Sequence, residues 1–171
     1  MVRFIVALAL CFTALTPAIA RATDDKAEYT EVKAEAKVKP AKYEIIEQEF
    51  QNVTRPRVVV RITVDDANEK ETGAAMAQAL RDALDDEDKA KVASVFAYSE
   101  DDDTGSFYTR GVGEASTDGK GWTGDGKLSF GPLDSADDKK DRIFVLVGSA
   151  LDDDEDVTLL SFPFKVEKEK K

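Results

Sequence analysis

RVVVRITVDDANEKETGAAMAQALRDALDD, residues 57–86, carries the two periods from which the fold is read. The first eight residues alternate. Val58, Val60, Ile62 and Val64 fall on one face of an extended chain, and Arg57, Val59, Arg61 and Thr63 on the other, the pattern of a half-buried strand. The period then changes. Asn68 and Glu71 stand at capping-box spacing, and Met76, Ala79, Leu80, Ala83 and Leu84 recur at three- and four-residue intervals, so a helix is expected over 69–86. Its stripe is rich in alanine, which predicts close packing on whatever it covers. Asp85, Asp86, Glu87 and Asp88 gather at its far end, where the helix dipole disfavours negative charge, and mark the stop.

Working outward, 91–99 (KVASVFAYS) is nearly continuous in apolar residues and suits a strand covered on both faces. Strand, helix, strand in this order predicts a crossover between parallel neighbours. Upstream, 43–53 (YEIIEQEFQNV) has strand composition without a clear register, and order is expected to begin near Tyr43. Downstream, 106–115 (SFYTRGVGEA) reads as an antiparallel partner. Residues 105–131 hold eight of the ten glycines and predict turns, with a short strand around Leu128 and Phe130. Two more strands follow, RIFVLVGSA from Arg142 and VTLLSFPFKV from Val157. In the second, Leu160, Phe162, Phe164 and Val166 share a face, and Pro163, which has no N–H to donate, points to a sheet edge. The expected fold class is α+β: a mainly antiparallel sheet with one amphipathic helix on a face, a β-β-α-β-β core plus C-terminal strands.

Length and charge narrow the function. The chain of 171 residues suits one domain, and 42% apolar residues suffice for a core. Lys and Arg number 24 against 35 Asp and Glu, a formal charge of −11, which argues against a nucleic-acid partner because phosphate binding needs a basic face. There is no histidine and one cysteine, Cys11, so histidine-based catalysis, disulfide frameworks and redox pairs are excluded.

Residues 1–22 (MVRFIVALALCFTALTPAIARA) have the parts of a secretory signal peptide. Arg3 precedes an apolar run from Phe4 to Leu15, Pro17 breaks it, and Ala18, Ala20 and Ala22 provide A-x-A sites. The run is shorter than the ~20 residues that span a bilayer, so no stable membrane span is expected after cleavage. Leu10 before Cys11 does not suit lipid attachment. The expected destination is the periplasm, the cell envelope or the medium, and the mature chain has neither cysteine nor histidine. Residues 23–42 mix lysines and acids with small apolar residues and read as a charged linker, although Val32, Ala34, Ala36 and Val38 alternate as a weak strand does. The single domain is expected over 43–167, followed by a charged tail, 168–171.

Three constellations could carry chemistry. Asp101, Asp102 and Asp103, with Asp152, Asp154 and Asp156, lie on strand-connecting segments whose carboxylates could hold calcium, although none has EF-hand spacing; hydrated solubilising loops are the plainer reading. Trp122, the only tryptophan, lies among glycines beside Asp118 and Asp125, where it could stack on a sugar or anchor a protein partner, or else plug a loop onto the sheet. Gly121–Lys127 matches a phosphate-binding loop by letter. Leu128 stands where that loop needs Ser or Thr, and a strand rather than a helix is expected next, so the match is rejected. Asn52–Val53–Thr54 is a glycosylation sequon that matters only in a eukaryotic source. A carboxylate pair could hydrolyse glycosides without histidine or cysteine. The reading adopted is an exported, non-catalytic interaction module without a resident cofactor. A calcium-stabilised domain and a small carboxylate-based hydrolase are the alternatives.

Overall fold

The structure, a computed structural model, describes residues 31–33, 38–102, 108–130, 142–148 and 157–165. The segment 1–22 read as a signal peptide, most of the stretch read as linker, the tail and Val166 lie outside them. So do Asp103, Asp152, Asp154 and Asp156.

The alternation at 57–64 forms strand β3 (Arg57–Val64), its Val and Ile face buried and its Arg and Thr face half-buried. The helical period forms α1 (Glu69–Asp86), which begins at Asn68, whose Oδ1 accepts from the Glu71 N–H at 3.1 Å, and ends in the acidic run with Glu87 as C-cap. Around them lie β1 (Glu31–Lys33), β2 (Tyr43–Gln51), β4 (Val92–Tyr98), β5 (Gly111–Ser116), β6 (Arg142–Val147) and β7 (Thr158–Pro163). The sheet order is β1-β7-β6-β5-β4-β3-β2. Strands β3 and β4, joined through α1, run parallel, as do β1 and β7; the other four pairings are antiparallel. The fold is α+β, one helix on a mainly antiparallel sheet.

Alanine on the helix and glycine on the sheet set how closely the two approach. Ala75, Met76, Ala77, Ala79 and Leu80 are wholly buried. A Cβ added at Gly73 would lie 2.6 Å from Leu160 Cδ1, and one at Gly113, beneath the helix, 2.7 Å from Val145 Cγ1. Arg81 clips the helix to the end of β7, donating from Nη2 to the Pro163 carbonyl at 2.8 Å and from Nε to that of Phe164 at 3.2 Å. On the opposite face a second apolar cluster joins Val112, Phe144, Leu146 and Leu159, with Leu128 and Phe130 packed against it. Strand β4 is therefore covered on both sides, as its composition predicts.

Four expectations change. Order begins before Tyr43: Val38 and Ala41 pack on the core, and the Ala41 N–H donates to the Glu71 carbonyl at 3.0 Å. Residues 31–33, inside the stretch read as linker, pair with β7, so the weak alternation there is realised once a sheet edge supplies hydrogen-bond partners. That pairing leaves β7 second from the edge; β1 covers Leu159–Ser161 and stops short of Pro163. No strand forms at 128–130, because the Ser129 N–H is given to a carboxyl group instead of a ladder.

Candidate functional site

The glycine-rich segment after β5 folds back over the sheet face opposite the helix. Two tethers hold it. Arg55, in the β2–β3 turn, donates from Nη1 and Nη2 to the two carboxylate oxygens of Asp118 at 3.0 and 2.7 Å, and from Nε to the Gly121 carbonyl at 2.8 Å. Such a bidentate pair fixes orientation as well as distance. Glu114, on β5, is fully buried, and its Oε2 accepts from both the N–H and the Oγ–H of Ser129 at 3.0 and 2.7 Å. Between the tethers the backbone crosses itself at Gly121, where φ is +66° and a Cβ would lie 2.0 Å from the Lys127 carbonyl oxygen. Only glycine fits there.

Trp122 is half-buried at the top of this loop, with the Arg57 guanidinium carbon 4.4 Å from its ring centroid. Arg57 is itself oriented by donating from Nε to Gln51 Oε1 at 2.8 Å. One face of the tryptophan is packed by a cation, and the side chain stays in partial contact with water. Asp118 is half-buried and Asp125 exposed, and each is engaged by groups of the loop itself. Asp118 also accepts from Ser116 Oγ and the Lys120 N–H, and the Arg55 hydrogen bond holds its carboxyl group well below the usual carboxylate range. Asp125 accepts from Thr123 Oγ and the Lys127 N–H, which lowers it as well. Both close turns, and the sugar contact that sequence proximity suggested for them has to compete with these bonds. Gly121–Lys127 is closed by a bridge between its own ends, and no helix follows within residues 128–130.

At the other end of the sheet, Asp101 is exposed. Asp102 accepts from the Ser99 N–H at 3.2 Å and from Thr109 Oγ at 2.6 Å, the latter being the main cause of its lowered pKa. Arg110 joins the cluster, donating to Ser99 Oγ and pairing with Asp66 at 3.2 Å. Strand β4 ends and β7 begins at this end, so the two acidic segments proposed to share calcium attach to the sheet on the same side. Among the described residues no three acidic, histidine or cysteine side chains are grouped to hold a metal ion.

A third feature lies along β2, the outer strand next to β3. Its register slips between Ile45 and Glu47, leaving Ile46 as an extra residue. Ile45 and Ile46 are 43% and 45% exposed, and Val53 in the following turn 46%. The bulge is the reason this stretch shows no clear alternation in the sequence. Arg55, Glu114 and Ser129 were likewise not legible, since each acquires its role from a partner many residues away. Only the pair Ile45–Ile46 beside three glutamates signalled an unusual strand.

A one-helix α+β domain with a tethered glycine-rich loop and, among the described residues, an outer strand that exposes two isoleucines is the class of protein these features define. Residues 38–130 match the family described as a domain of unknown function, DUF4875, and the chain belongs to that family. No curated protein and no solved structure matches it. Among the described residues no helix is long and apolar enough to cross a membrane, which bears on helices alone.

Proposed function

We propose that the protein is an exported, non-catalytic interaction domain that meets another protein along its β2 side. The observation that carries this reading is the exposure of Ile45 and Ile46, adjacent residues at the bulge of the outer strand. Large apolar side chains exposed side by side among glutamates favour a partner over water. The carboxyl groups of Glu114 and Asp118 are engaged by Ser129 and Arg55 respectively, which supports a structural role over acid–base chemistry. Export rests on residues 1–22 of the sequence.

The test is a photo-crosslinking residue placed at Ile46 and, as a control, at exposed Lys70 on the helix, in protein expressed in its source cell. A discrete adduct from position 46 and none from position 70 is expected. Adducts of equal pattern from both positions would overturn the reading. So would a turnover in the purified protein that is lost on Glu114→Gln or Asp118→Asn while the circular dichroism spectrum is unchanged. Calcium stabilisation is the second reading, favoured by the attachment of both acidic segments to one end of the sheet.

A further inference from the structure

We infer that the free edge of β2 accepts an extended, lysine- or arginine-rich segment of another protein as an added strand, an inference that rests on the interaction-domain reading above. Strand β2 runs for nine residues and pairs only with β3 among the described strands. An edge of this length presents unpaired backbone donors and acceptors, the template for strand addition. The Asp65 N–H donates to the Lys42 carbonyl at 3.1 Å, which marks 42/65 as a hydrogen-bonded pair. By the alternation of antiparallel ladders, Glu44 then bonds to Thr63, whereas the N–H and C=O groups of Tyr43 and Ile45 point away from β3.

The charge of the edge selects the occupant. Tyr43–Gln51 contains Glu44, Glu47 and Glu49 and no basic residue. Glu47 is paired with Arg61, and Glu44 and Glu49 are exposed. A second copy adding antiparallel about the middle of the strand would set Glu44 near Glu49 and Glu49 near Glu44, a like-charge contact that disfavours pairing. A strand alternating lysine with valine reverses that sign, and its apolar side chains can lie against Ile45. The same glutamates therefore discriminate against self-association and in favour of a basic partner, at a surface whose chain carries −11 overall and steers cations toward it.

The experiment uses the full chain and three end-blocked octapeptides: alternating Lys-Val, alternating Glu-Val, and a Lys-Val version N-methylated at every second residue. Binding is followed by fluorescence anisotropy, and amide exchange by NMR. The Lys-Val peptide should bind, slow exchange at Tyr43 and Ile45 at least tenfold, and leave Glu44, already bonded to β3, little changed. Affinity should fall at least tenfold for the N-methylated peptide, for Ile45→Pro, which deletes an outward N–H, and between 50 and 300 mM salt. If Ile45→Pro misfolds, Glu44→Lys/Glu49→Lys serves instead and should prefer the Glu-Val peptide. Absence of binding, equal binding of both charge types, or protection outside β2 overturns the inference. Protection of Ile45 in the protein alone with a dimer in sedimentation overturns it in favour of a second copy. A crosslinked partner at position 46 alongside any of these failures leaves the interaction-domain reading standing, whereas no adduct removes both.

Discussion

Among the described residues, Asp118 and Tyr43 have ionisations that folding shifts strongly, and they act at opposite ends of the pH scale. The Arg55 hydrogen bond depresses the Asp118 pKa, so the group stabilises the fold above the unfolded value of about 4 and loses that contribution as pH falls below it. Asp118→Asn should therefore lower the melting midpoint at pH 7 and flatten the acid limb below about pH 4; a limb as steep as that of the parent protein would assign it to other carboxylates. Tyr43 is pushed up from 10.0 to about 12, by burial first and then by Asp82, whose Oδ2 accepts its hydroxyl hydrogen bond at 3.2 Å. A raised pKa contributes stability that is complete below the unfolded value and lost as pH rises through the folded one. The midpoint should fall between pH 10 and 12, and Tyr43→Phe should remove part of that fall. Identical alkaline limbs for both proteins would exclude Tyr43 as its source.

Helix α1 is held by how closely it can approach the sheet, and Gly73 is the position at which this is tightest. Glycine inside a helix is ordinarily worse than alanine by ~1 kcal/mol. Here alanine would meet Leu160 Cδ1 at 2.6 Å in a filled core, and overpacking costs roughly 1–3 kcal/mol. The second effect is at least as large as the first. Gly73→Ala should lower stability by up to about 2 kcal/mol, read as a midpoint lower by up to about 8 °C. A raised midpoint would show that helix propensity dominates and that the helix seats less closely. The stripe of α1 was legible because a helix buries one face at a fixed period. The bulge in β2 was not, because an extra residue is stabilised by the ladder of the neighbouring strand and leaves only a broken alternation in its own.

For the whole molecule, export and calcium give separable measurements. Protein recovered from the medium or periplasm of an exporting host should have the intact mass of a chain beginning at Arg21 or Thr23, and recovery from the cytoplasm alone with Met1 retained would remove the export proposal. Melts in excess calcium and excess magnesium at matched ionic strength should agree within about 2 °C if the acidic segments are solvated surface. A ligand at a hundred times its dissociation constant adds ~2.7 kcal/mol. For a chain of this size that is roughly 5–11 °C, and a rise of that size with calcium alone would establish the second reading.

The sequence by itself determined the elements that answer to local period: the strand at 57–64, the helix at 69–86 with its cap and its acidic stop, and the α+β class that follows from their order. It also determined the charge and the missing histidine. Tertiary structure alone decided where the remaining polar groups go. Arg55 meets Asp118 across 63 residues and Glu114 meets Ser129 across 15, separations over which no repeating pattern connects the partners. It also decided that β2 is the outer strand, for strand order is set by which edges pair in space. A run of residues records which of its own faces is apolar, but it holds no record of what lies beside it.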